Sequence, residues 1–135
     1  MKVTSMKIVT MLILPVMMLA GCKHSSSPII TGTVLLQVKS SGCGGTVWWR
    51  VGDANNYPNG ENVSFPWTKT LPGVPGDDVY LGSCVSCYVG CTLPCFVAIE
   101  SSIYWNGTLL TSRAVTGTQT SDCEAHGEAL VTLPE

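Results

Sequence analysis

After residue 28 the chain alternates apolar and polar residues with period two. From Thr33 to Lys39 the positions Val34, Leu36 and Val38 share one face. From Thr46 to Val51 the positions Val47, Trp49 and Val51 share one face while Trp48 and Arg50 take the other. That is the pattern of strands with one side buried. No stretch repeats apolar residues at the three- and four-residue spacing of a helix, and Gly or Pro interrupts the chain at short intervals. Further strands are predicted over Asn62–Pro66, Trp67–Leu71, Asp78–Cys84, Cys95–Trp105, Thr108–Val115 and Glu124–Leu133. Asn106-Gly107, between Ile103-Tyr104-Trp105 and Thr108-Leu109-Leu110, predicts a two-residue type I′ hairpin, because both residues tolerate positive φ. Pro66 would interrupt a ladder and so marks a bend where the chain moves between sheets. Seven or eight short strands in the segment 31–135 predict an all-β fold, an immunoglobulin-like antiparallel β-sandwich stapled by disulfides.

The first residues have a different character. Met1–Lys7 carries two Lys and no acid, and Ile8–Gly21 is a fourteen-residue uncharged run. These are the n-region and h-region of a secretory signal, too short to cross a bilayer, which takes about 20 apolar residues. The run ends in Leu19-Ala20-Gly21-Cys22, which resembles the bacterial lipobox. The resemblance implies removal of residues 1–21 and acylation of Cys22, with palmitate or a similar chain. More than one buried acyl chain holds a protein on a membrane without a spanning helix. Residues 22–30, polar from Lys23 to Pro28, form a tether. Position 23 is Lys rather than Asp, which favours the outer membrane or cell surface over inner-membrane retention.

Charge narrows the partners. Residues 22–135 hold 5 basic and 9 acidic side chains, net −4, which argues against nucleic acid or an anionic lipid surface. The charged fraction of 12%, against about 25% in soluble domains, suits an exported β domain better than a cytosolic enzyme. His24 lies in the tether and His126 is flanked by Glu124 and Glu128. With no Gly-x-Ser-x-Gly, His-Glu-x-x-His or phosphate loop, the common hydrolase constellations lack carriers, so no catalytic residue, metal or cofactor is assigned. Asp77-Asp78, whose adjacent carboxylates would suit a hard cation such as Ca²⁺, is read instead as a turn. Asp53 and Glu61 are carboxylates whose separation no sequence can supply.

The order of Phe65-Pro66-Trp67-Thr68-Lys69-Thr70-Leu71, Pro75-Gly76-Asp77-Asp78-Val79-Tyr80-Leu81, Val97-Ala98-Ile99 and Tyr104-Trp105-Asn106-Gly107 resembles the extracytoplasmic domains of the MmpS family of small mycobacterial membrane proteins. The resemblance would run from about residue 31 to 133 and implies an accessory role beside a lipid or siderophore exporter. It departs from that family in the lipid anchor and in the cysteine-rich insertion at 84–95.

With Cys22 assigned to the anchor, six cysteines remain: Cys43, Cys84, Cys87, Cys91, Cys95 and Cys123. In an oxidising compartment an even set predicts disulfides, and six allow fifteen pairings. Cys84 and Cys95 flank one loop and are paired across its mouth. Cys87–Cys91 is placed inside it, and Cys43–Cys123 is left by default. The alternative reads Cys84-x2-Cys87-x3-Cys91-x3-Cys95 as a thiol or metal site. Its spacing is unlike that of ferredoxins, and its four thiols share one loop, unlike two zinc knuckles. The aromatic residues Trp48, Trp49, Trp67, Trp105 and Tyr57 are the candidate binding surface, since an exposed ring would anchor a protein or stack on a sugar. Three readings follow. The first is a non-enzymatic, lipid-anchored envelope module that binds or supports another envelope component, such as a transporter. The second is a carbohydrate-binding module using Trp and Tyr, and the third a thiol or metal protein centred on the 84–95 loop.

Overall fold

The computed structural model describes residues 29–87, 93–121 and 123–135, with Cys87 described by its backbone alone. Eight strands form: β1 (Gly32–Ser40), β2 (Gly44–Gly52), β3 (Asn59–Ser64), β4 (Trp67–Gly73), β5 (Asp78–Cys87), β6 (Cys95–Trp105), β7 (Thr108–Gln119) and β8 (His126–Thr132). They build two four-stranded sheets, β4-β1-β6-β7 and β3-β2-β5-β8, in which every pairing is antiparallel. The molecule is a β-sandwich with the two-layer architecture of immunoglobulin-like domains and its own strand order. All eight predicted strands are present, mostly longer than their alternation suggested.

Period-two alternation explains which side of each strand is buried. In the first sheet Val34, Leu36 and Val38 of β1 face inward with Val97, Ile99, Ile103 and Trp105 of β6. In the second, Val47 and Trp49 of β2 meet Val79, Leu81 and Val85 of β5 and Ala129 of β8. At about 25 cal/mol per Å² of apolar surface, burying such a set is the main favourable term in folding. A polar pair bridges the sheets within this core: the hydroxyls of Ser83 and Ser101 are hydrogen-bonded at 2.7 Å, and the one whose proton that bond leaves over donates to the carbonyl of Gly127, 3.3 Å from Ser83 and 3.4 Å from Ser101. A β-carbon at Gly127 would meet both hydroxyls, so glycine makes that bridge between sheets sterically feasible.

Only β2–β3 and β6–β7 are hairpins within a sheet; the other connections cross between layers. The β6–β7 turn is the predicted one, with φ of 48° at Asn106 and 83° at Gly107. Asn106 also ties the turn to β1: its N–H donates to Thr33 O at 2.9 Å, and its Oδ1 accepts from Thr33 N–H at 2.9 Å. The chain leaves the second sheet for the first at Phe65-Pro66, where the bend was expected.

The registers define two poles. Gly32, Gly52, Gly73, Asp78, Trp105 and Thr132 end or begin strands at one pole, which residue 29 enters. The described cysteines Cys43, Cys84, Cys95 and Cys123 all lie at the opposite pole, at or beside strand termini there.

The disulfide pairing differs from expectation. Cys84 is bonded to Cys123, with Cα atoms 4.8 Å apart, so neither Cys84–Cys95 nor Cys43–Cys123 forms. The physical reason is topological: Cys84 is on β5 in the second sheet and Cys95 on β6 in the first. The two therefore share no ladder that would hold their backbones together at the spacing a disulfide needs. Cys123 instead approaches β5 directly, its N–H donating to Val85 O at 2.9 Å. Cys43 and Cys95 are disulfide-bonded as well. The expected Cys87–Cys91 pair lies outside the described residues.

Two outcomes follow from this bonding. Non-reducing peptide mapping will recover a peptide linking Cys84 to Cys123 and none linking Cys84 to Cys95. The double substitution Cys84→Ala/Cys123→Ala, which opens a loop spanning a separation of 39 residues, will lower unfolding free energy by about 2–4 kcal/mol in denaturant titrations.

Candidate functional site

The structure divides the five candidate aromatic residues. Trp49 is 7% exposed and Trp105 8%; both are core residues, which corrects their assignment to a surface. Trp105 is accommodated by glycines on adjoining strands, since a β-carbon at Gly32 would collide with its ring and one at Gly73 would sit 3.1 Å from it. Trp49 packs at a tilt on Trp67, ring centroids 5.7 Å apart. The Trp67 Nε1–H donates to Glu61 Oε1 at 2.9 Å. Lys69 Nζ lies 4.1 Å above the Trp49 ring and 3.6 Å from that same Glu61 oxygen. These four residues close the open side of the sandwich between edge strands β3 and β4, with the lysine and glutamate pointing inward. Trp67 is therefore partly buried and committed to structure. Tyr57 is 96% exposed on the β2–β3 loop, at the pole that residue 29 enters.

Trp48 remains, partly buried on the outer face of the second sheet, where alternation placed it with Arg50. The register sets out this face as rows across strands. One row runs Gly60, Trp48, Gly82 and Glu128; the next runs Arg50, Tyr80 and Leu130. Trp48 therefore has a glycine beside it on each neighbouring strand. A β-carbon at Gly60 would lie 2.8 Å from Trp48 Cδ1 and 3.2 Å from Nε1, and one at Gly82 would lie 2.5 Å from the Tyr80 hydroxyl. Both rings thus lean over bare backbone.

Charged groups frame them. The Arg50 guanidinium carbon is 5.9 Å from the Tyr80 ring centroid, a cation–π contact. Its Nη1–H donates to Asn56 O at 3.2 Å, while its Nε is buried without a hydrogen-bond partner among the described residues. The Tyr80 hydroxyl donates to Glu128 Oε1 at 3.3 Å. Burial, and secondarily the negative charge and hydrogen bond of Glu128, hold the Tyr80 phenol above its ordinary pKa, with Arg50 opposing. Leu130, 64% exposed, extends the apolar strip beside Tyr80. This face thus brings together an aromatic ring, a guanidinium and an exposed carboxylate.

The remaining chemistry-bearing residues are committed elsewhere. Asp77 Oδ2 accepts from Val74 N–H at 2.8 Å, and Asp78 Oδ1 accepts from the Thr132 hydroxyl at 2.7 Å, so the pair is a turn and a strand end, as read. Asp53 accepts from Asn55. His126 begins the edge strand β8 and is exposed. The Glu124 carboxylate is lowered to about 2 by hydrogen bonds from the Thr120 N–H, the Thr120 hydroxyl and Ser121, which organises the turn before β8. A thiolate site at 84–95 needs Cys84 and Cys95 as ligands, and both are disulfides. A shallow concavity of about 260 Å³ lies on the outer face of the first sheet against Lys39, Ala98, Glu100 and Ala114. It is below the usual size of a small-molecule cavity and carries no ring.

Tyr80, Glu128, Gly60 and Gly82 were not singled out from the sequence as site residues. The only available signal was Trp48 and Arg50 sharing a face; their neighbours depend on register. No protein-family model matches the chain, and no curated protein matches it.

The Tyr80 environment can be read by ultraviolet titration. Its folded pKa is raised, so its proton is held more tightly when folded. That contribution to stability is present below the ordinary value of 10.0 and is lost as pH rises through the higher folded value. One phenol will ionise late in wild type, and Glu128→Gln will bring that transition back toward the ordinary range. Tyr80→Phe will remove it.

Proposed function

We propose that this chain is a non-enzymatic, lipid-anchored binding module of the bacterial cell envelope whose ligand-facing surface is the outer face of the second sheet. The observation that carries the reading is the Trp48 row. An aromatic residue on a solvent face, with glycines on both sides and Arg50, Tyr80 and Glu128 next to it, combines the ring and arginine chemistry of interaction hot spots. Four domain cysteines spent on disulfides favour this reading over thiol or metal chemistry.

The anchoring part of the reading rests on Leu19-Ala20-Gly21-Cys22. Seven residues, 22–28, precede the described domain, a reach of at most about 25 Å at roughly 3.6 Å per residue. A lipid on Cys22 would therefore keep the pole at residue 29 near the bilayer. The disulfide pole would point away, and the sheet faces would lie to the side, open to a neighbouring envelope component. Support of an exporter, the role implied by the MmpS-like motifs, is one form such binding takes.

Two experiments test the proposal. Metabolic labelling with an alkyne-tagged palmitate will label the wild-type protein and not Cys22→Ala; label retained in the variant would rule out Cys22 as the anchor. A photo-crosslinking phenylalanine analogue placed in cells at position 48 or 130 will give adducts, whereas at Gln37 or Thr70, on the first sheet, it will not. Adducts only from the first sheet would assign the binding surface there instead.

A further inference from the structure

We propose that the outer face of the second sheet is a saccharide site, with the Trp48 indole as stacking platform and Arg50 and Glu128 reading hydroxyls. This rests on the binding role above and names its ligand class.

The first support is the way the rings lie. A side chain on Gly60 would meet the Trp48 pyrrole ring at 2.8 Å, and one on Gly82 would meet the Tyr80 hydroxyl. The indole therefore reclines over β3 backbone rather than standing between neighbours, and its π-face is not walled in along its row. A pyranose carries an apolar side of C–H groups that matches one such ring in size and flatness, and aromatic rings attract C–H through their negative faces. A polypeptide anchor is more usually taken into a well-packed pocket, and neither concavity described in this molecule includes Trp48 or Tyr80.

The second support is the polar set. Sugar hydroxyls both donate and accept. Among the described residues the Arg50 guanidinium makes one hydrogen bond, from Nη1 to Asn56 O. Its Nε is too buried to meet a ligand, so its remaining N–H groups are the donors. The exposed Glu128 carboxylate accepts the 3.3 Å bond from Tyr80 and no other among the described residues, leaving most of its lone-pair sites open. A donor and an acceptor flanking the π-face suit adjacent hydroxyls on one ring.

The third is charge. Arg50 and Glu128 cancel, and the chain from residue 22 onward is net −4. A nucleotide would also stack on Trp48, but its phosphates would meet an acidic domain. A neutral polyhydroxylated ring avoids that cost.

The test uses detergent-solubilised full-length protein with a panel of N-acetylglucosamine, glucose, galactose and mannose oligosaccharides. The readouts are saturation-transfer NMR and tryptophan fluorescence. At least one sugar should receive saturation on its ring C–H protons and titrate to saturation. Trp48→Ala should weaken it about tenfold or more. Gly60→Ala keeps the tryptophan but displaces it, and should weaken binding as well. Retention of the Cys84–Cys123 bridge and of the β-sheet circular dichroism shows that each variant is folded. Binding unchanged in folded Trp48→Ala overturns the site. No transfer from any sugar, with crosslinks at position 48 intact, overturns the saccharide inference and leaves the binding role standing as a protein contact. Absence of both overturns the two together.

Discussion

The pairing of β2 with β5 is the constraint on which the rest depends. It matches Val47 to Ser83, Trp48 to Gly82, Trp49 to Leu81 and Arg50 to Tyr80. Because the side-chain period is two, a slip by one residue would drive Arg50 and Trp48 into the core and expose Val47 and Trp49. Three features at one end hold that register. A bulge falls between Gly44 and Gly45. Gly45 fits only because it has no β-carbon to strike the Cys84 carbonyl. The Cys84–Cys123 bond then ties β5 to the approach of β8. The core and the candidate binding face are two sides of the same pairing, so neither can be altered independently.

Edges are handled by charge. β3 and β4 end their sheets on the same side of the sandwich, and unpaired strand edges invite pairing with other chains. Glu61 and Lys69 point inward there, linked to each other and to Trp67 and Trp49. A strand added at either edge would have to coexist with this ion pair, while the lysine stem and the two indoles still exclude water from the core.

Much of this was legible in the sequence, and what was not has a common cause. Alternation located every strand and separated Trp48 from Trp49, and the Asn106-Gly107 hairpin followed from turn chemistry alone. These are local properties. Disulfide partners, by contrast, depend on which strands become neighbours: Cys84 and Cys95 are close in sequence, but their strands belong to opposite sheets. The burial of Trp105 was equally hidden, because Gly32 and Gly73, which make room for it, are distant in sequence and meet only through the β1–β4 register.

The same reasoning explains why the binding face is hard to see in one dimension. Asn59-Gly60 looks like turn chemistry, and Gly82 looks like an ordinary interruption of a strand. Glycine within a strand weakens it, and is retained where backbone must be approached closely. Here both glycines fall in the row of Trp48, and each has an aromatic group lying over it. A β-carbon at either position would strike the ring that lies over it, so glycine is what lets each ring rest on backbone. The arrangement gives up strand propensity to keep two aromatic rings low on the outer face of the second sheet, the face proposed above as the binding surface.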